Sequence, residues 1–143
     1  MEFYAMPLFV KLAVRNMESS LNWYKHVLNF ESIFVLPDQA GEIVMAHIRG
    51  QKYQDMMLVS EQYDTNSNGI GVVLNFTVED VDSFADKANK AYANILEGPI
   101  DRPWNARELV LKDPDGYVII LSMQIDKEKT IDDIVDWVVN IQD

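Results

Sequence analysis

The chain repeats itself once, and that repeat limits its architecture more than any other feature does. A displacement of 64 residues carries Leu12 onto Phe76, Val14 onto Val78, Asn16 onto Asp80 and Met17 onto Val81. The same displacement carries Leu21 onto Ala85, Tyr24 onto Ala88 and Met56 onto Ile120. Apolar positions meet apolar positions and helix-capping positions meet capping positions. The chain therefore reads as two copies of one strand–helix–three-strand unit. Each copy would cover one side of its sheet with a helix and leave the other side in need of cover. Two curved sheets facing each other would enclose room for a small ligand.

Local patterns place the elements. In the first module, residues 7–60, alternation predicts strands over 9–14, 30–36, 42–49 and 54–60. Asn16 is positioned to cap a helix whose apolar stripe contains Leu21, Tyr24 and Leu28, with Trp23 and Val27 beside it. A polar connector spans 61–69. The second module, 70–123, repeats the order with a strand over 72–78 and a helix over 82–91. An extended piece follows over 93–96, interrupted at Gly98-Pro99. The module closes with a hairpin whose strands, 108–112 and 117–123, flank the turn sequence Asp113-Pro114-Asp115-Gly116. Beyond it, residues 130–141 form an amphipathic pattern with Ile131, Ile134, Val135, Val138 and Ile141 on one side, Trp137 beside them and Thr130 as the cap. That helix should pack on the body or on a partner. The expected fold class is α+β, a single domain over 1–143 of two βαβββ modules in a curved mixed sheet or cup, plus a C-terminal helix.

Charge narrows the partners. Asp and Glu number 23 against 12 Lys and Arg, a formal charge of -11, which repels nucleic acid and anionic membranes and favours a cationic ligand as well as solubility. The absence of cysteine removes disulfides, thiolate nucleophiles and thiolate metal sites, and fits a cytoplasmic setting. Met1-Glu2-Phe3-Tyr4 lacks the basic start and apolar run of a signal peptide, and no apolar run is long enough to span a membrane.

The segment from Leu12 through Asn16-Met17-Glu18 and Trp23-Tyr24 to Phe30, together with Pro103-Trp104, Arg107-Glu108 and Asp113-Pro114-Asp115-Gly116, resembles the glyoxalase, bleomycin-resistance and ring-cleaving dioxygenase superfamily, the vicinal oxygen chelate proteins. The resemblance covers about 7–123 and is nearest to the bleomycin-resistance branch, which implies an acidic dimer that binds a drug without altering it. It also implies where a divalent metal would sit in enzymes of the superfamily. Those four places fall at Phe9, at Met56 or Met57, near Val73 and at Ile120. None is an oxygen or nitrogen ligand, and thioether sulfur suits soft ions instead. No metal and no cofactor are expected.

The function expected is metal-independent binding of a small aromatic or cationic molecule in a cavity or inter-subunit groove, with drug sequestration as the specific form. The alternatives are an enzyme of the same fold with a non-standard site and a structural or regulatory homodimer with a filled cavity. Trp104, at the mouth of the hairpin, is positioned either to stack on a ligand or to pack across a dimer seam. His47, in the strand 42–49, lines the cavity if its face is the inner one; His26 is a helix-surface residue. Glu108, with Asp101 and Asp38, offers acidity. Lys11, on the alternating face of Phe9, points towards a carboxylate or phenolate ligand, against the global charge. Arg107 is a further candidate, although neighbours in a strand project to opposite faces. The ligand-binding candidates are thus Trp104, His47, Glu108, Arg107, Lys11, Phe9 and Met57.

Overall fold

The computed structural model describes residues 2, 4–62 and 69–141, without the side chains of 137, 138 and 141. The first module contains β1 (Val10–Val14), α1 (Met17–Leu28), β2 (Glu31–Pro37), β3 (Ile43–Arg49) and β4 (Asp55–Ser60). The second contains β5 (Val73–Thr77), α2 (Val81–Lys90), β6 (Asn94–Arg102), β7 (Ala106–Lys112) and β8 (Val118–Gln124), and α3 (Ile131–Ile141) follows. Each module forms one four-stranded mixed sheet, in the orders β1-β4-β3-β2 and β5-β8-β7-β6. The first strand runs parallel to the last in both, and the other pairs are antiparallel. Most of the connector expected over 61–69 lies outside the described residues.

Both helices start where a short polar side chain can hold the free backbone donors of the first turn. Asn16 accepts from the Ser19 N–H at 3.0 Å, and Asp80 accepts from the Asp82 and Ser83 N–H groups. The inward sides of α1 and α2 carry Met17, Ser20, Tyr24, Val27 and Leu28, and Val81, Ala85 and Ala88. These meet the helix-side residues of the strands, among them Leu12, Val14, Ile48, Met56 and Leu58 in one sheet and Leu109, Leu111, Ile119 and Leu121 in the other. The apolar residues among them belong to one hydrophobic core, so neither module buries its apolar face alone.

The Asp113–Gly116 turn is the joint between the modules. It is closed by the Gly116 N–H donating to the Asp113 carbonyl, with Gly116 at φ +91°. Asp113 accepts the Tyr24 hydroxyl at 2.7 Å and the N–H groups of Asp115 and Tyr117, while Asp115 accepts from Ser20 and Arg15. The Tyr117 hydroxyl donates to the Ala13 carbonyl. These carboxylates are structural anchors, buried where helix α1 meets the second sheet.

Gly98-Pro99 does not end the strand as the sequence pattern predicts. β6 continues to Arg102, and the irregularity is absorbed as a bulge: pairing passes from Glu97 opposite Val110 directly to Ile100 opposite Glu108. Proline has no N–H for the ladder, and Gly98, at φ +96°, takes a conformation disfavoured for side-chain-bearing residues.

Thr130 caps α3 as expected, its hydroxyl accepting the Asp133 N–H while Asp133 accepts the Thr130 N–H. The described part of the stripe is only partly covered. Ile134 borders a recess with Thr77, Trp104 and Gln124, whereas Ile131, Val135 and Val139 are 78 %, 51 % and 54 % exposed. The side chains of Trp137, Val138 and Ile141 lie outside the described residues.

Candidate functional site

Strand alternation leaves each sheet with a second face, opposite its helix. On the first sheet this open face carries Lys11 and Ala13 from β1, Asp55, Met57 and Val59 from β4, and Met45, His47 and Arg49 from β3. Phe34 and Leu36 of β2 complete it. The register sets Lys11, Met57, His47 and Phe34 side by side on four consecutive strands. Lys11 is exposed and Phe34 is 54 % exposed, so this row is open to solvent in the single chain.

A polar network fixes one end of that face. Asp55, almost fully buried, accepts from His47 Nε2 at 2.6 Å, from Arg49 Nε at 3.0 Å and from the Tyr4 hydroxyl. Burial pushes the Asp55 carboxyl up, but the hydrogen bonds from Tyr4, His47 and Arg49 outweigh it and hold the group below its ordinary 3.8. The Arg49 guanidinium lies 4.3 Å from the centre of the Tyr4 ring and donates to the Glu2 carbonyl, so residues before β1 are pinned across the β3–β4 end. His47 is thereby oriented, with Nε2 facing Asp55 and Nδ1 without a partner among the described residues. Sequence reasoning missed Asp55, Arg49 and Tyr4. The first two were findable, since Arg49 and Asp55 are cross-strand partners in the β3–β4 hairpin.

The open face of the second sheet carries a separate network. Glu108, buried, accepts from Arg102 Nε at 2.9 Å and from the Trp104 indole N–H at 3.3 Å. The far side of the Arg102 guanidinium binds Glu97 through two hydrogen bonds, and Arg102 sits 5.8 Å from the Trp104 ring centre. The hydrogen bonds from Arg102 hold the Glu97 carboxyl below its ordinary value. Trp104 itself remains half exposed. Beside this network the face is lined by Val73, Asn75 and Thr77 of β5, Ile120 and Ser122 of β8, and Val110 of β7.

Of the residues expected at a site, Lys11, Met57 and His47 share one face, and Glu108 and Trp104 share the other. Arg107 joins neither group. Its side chain lies on the helix side of β7, bound to Asp82 at the start of α2 and to Asp101. Asp101 is thereby engaged, and Asp38 accepts the Ala40 and Glu42 N–H groups in the β2–β3 turn. His26 hydrogen-bonds the Asn22 carbonyl within α1.

The register also decides between Met56 and Met57. Lys11 pairs with Met57 and Asn75 with Ile120, so the repeat is one residue shorter in the last strand than in the first. Met57 is the counterpart of Ile120, and Met56 is buried in the core. Phe9 and Val73 line one groove of about 380 Å³ between the edge strands β1 and β5, together with Tyr53, Asp55 and Asn75. The donor set at the four superfamily metal positions is therefore a benzyl group, a thioether and two aliphatic chains, which does not fit a divalent metal. A larger open recess, about 730 Å³, lies by α1 and the β2–β3 turn; Asp38, which borders it, is spent on capping that turn.

Comparison with known proteins agrees with this architecture. Residues 7–121 match the model of the Glyoxalase/Bleomycin resistance protein/Dioxygenase superfamily. No curated protein matches the chain in sequence. Among solved structures, TioX from Micromonospora sp. ML1 superposes with a TM-score of 0.67 at 21 % identity, covering 85 % of this chain and 98 % of its own. TnmS3, described as an antibiotic binding protein from Streptomyces sp. CB03234, gives 0.65 at 21 % identity, with 87 % and 98 % covered. A glyoxalase/bleomycin resistance protein from the same Streptomyces strain gives 0.61 at 23 % identity, with 79 % and 96 % covered.

Proposed function

The chain belongs to the glyoxalase/bleomycin resistance protein/dioxygenase superfamily, and from that premise we propose that it binds a small aromatic molecule on its open sheet faces without a metal. One observation carries the reading. At the positions where superfamily enzymes ligate metal, this chain presents the apolar side chains Phe9, Met57, Val73 and Ile120, and Phe9 and Val73 line the groove between β1 and β5. On the open faces a few polar groups stand at fixed places, Lys11 and His47 on the first sheet and Glu108 and the Trp104 indole on the second, the usual composition of a ligand site. The antibiotic-binding description of TnmS3 supports the same class, with sequestration of a bulky aromatic drug as its specific form.

The partner in this proposal is a second copy of the chain. Phe34 and Leu36 on β2 and Ile131, Val135 and Val139 on α3 leave apolar surface exposed. A two-fold dimer would cover part of it and complete the grooves. Calorimetric titration of bleomycin-like compounds, aromatic cations and aromatic acids in the presence of a chelator tests the reading. Saturable binding unaffected by the chelator is expected. Binding or turnover that appears only with an added divalent metal overturns it.

A further inference from the structure

Resting on the ligand-binding reading, we propose that the open face of the first sheet is specific for a phenol, whose hydroxyl oxygen lies between Lys11 and His47. The global charge of -11 points the other way, towards a cation, but the local arrangement is different. Arg49, Arg102 and Arg107 are all consumed by carboxylates within the chain. Lys11 has no hydrogen-bond or ion-pair partner among the described residues; Lys25, Lys87, Lys90, Lys112 and Lys127 share that, and what distinguishes Lys11 is its place on the open face, paired with Met57 in register. On that face, open to solvent, its ammonium is available to an anion.

His47 supplies the second half. Lys11 and His47 flank Met57 on the two strands bordering β4, so their backbones stand about 10 Å apart, two strand spacings. Asp55 accepts the Nε2–H, which leaves Nδ1 with its lone pair directed away from that bond. A ligand hydroxyl can then donate to Nδ1. If its proton transfers, the imidazolium gains its compensating charge from Asp55, and the oxyanion left on the ligand faces both the imidazolium and the Lys11 ammonium. Asp55 itself is engaged by Tyr4, His47 and Arg49 and does not repel that anion as a bare carboxylate would. Met45, Met57 and Phe34 give the ring a polarisable floor.

The test is calorimetric titration of the full chain with 3-hydroxy-2-naphthoate, a planar hydroxy acid, and with proflavine, a planar cation. Lys11→Gln, His47→Gln and, as a control on the exposed surface of α1, Lys25→Gln are compared, each checked for folding by circular dichroism. Saturable naphthoate binding is expected, weakened roughly tenfold or more by either of the first two substitutions, in line with loss of a hydrogen bond to a charged group. Lys25→Gln, which removes the same charge away from the open faces, should change it little. Naphthoate binding indifferent to both Lys11→Gln and His47→Gln overturns the site. Proflavine binding without naphthoate binding overturns the ligand class while leaving the small-molecule reading in place. Failure of both probes overturns the inference and counts against that reading as well.

Discussion

Tyr24→Phe isolates the joint between the modules, because it removes one oxygen atom and leaves the ring packing intact. Tyr24 is fully buried, its ring 4.9 Å from that of Trp23 and 5.8 Å from that of Phe30. Its hydroxyl is the donor to Asp113 Oδ2, at 2.7 Å, whereas Oδ1 takes the two backbone N–H groups. Loss of a hydrogen bond to a charged buried acceptor costs about 1.5–3 kcal/mol. With an unfolding entropy of about 2.1 cal/mol/K per residue, the whole chain has roughly 0.3 kcal/mol/K, so a ~2 kcal/mol loss lowers Tm by about 7 °C. The pH dependence gives a second handle. Burial raises the Asp113 carboxyl above 3.8, so the folded state holds this proton more tightly than the unfolded one, and ionising it costs stability as pH rises through the folded value. Removing the Tyr24 donor raises it further. The variant's deficit should be complete near neutral pH and narrow as the pH approaches 3.8. Urea unfolding across that range measures both effects. A deficit below about 0.5 kcal/mol, or one that widens in acid, would refute the assignment of Tyr24–Asp113 as an anchoring charge-assisted bond.

Three further predictions follow from particular residues. Gly98→Ala should cost more than about 2 kcal/mol in chemical denaturation, from the φ +96° backbone and from a Cβ that would lie 2.4 Å from the Glu108 carbonyl oxygen; a neutral result would contradict the bulge geometry. Asp55→Asn should destabilise by about 1–3 kcal/mol at neutral pH. Because the Asp55 carboxyl is held below 3.8 when folded, its contribution is present above that value and lost as pH falls through the folded one, so wild type and variant should converge in acid. Deleting residues 127–143 should leave both sheets folded by circular dichroism but shift sedimentation equilibrium towards monomer; unchanged association would remove α3 from the proposed interface.

The repeat made the modules legible because strand, cap and helix positions recur with one spacing, and caps such as Asn16, Asp80 and Thr130 act locally. What the sequence concealed was mostly non-local. The Asp-Pro-Asp-Gly segment reads as a turn, and it is one, but its carboxylates face Tyr24, Ser20 and Arg15, some 90–100 positions away in the chain. Gly98-Pro99 reads as a stop because local chemistry gives no hint that β7 will hold β6 on both sides of a bulge. At the site, alternation placed Lys11, Met57 and His47 on one face once the register was known. It could not reveal that Arg107 is spent on Asp82 and Asp101, or that Arg102 and Glu97 complete the Glu108 network across that bulge.

The central claim, that the open sheet faces are the ligand surface, is tested most directly by methyl NMR of labelled methionines during titration with whichever planar probe binds. Met45 and Met57 lie on the open face of the first sheet, and Met17 and Met56 are buried on the helix side. The account predicts saturable shifts at Met45 and Met57, with Met17 and Met56 nearly still. Shifts confined to Met17 and Met56, with Met45 and Met57 unmoved, would place the ligand on the helix side and contradict it.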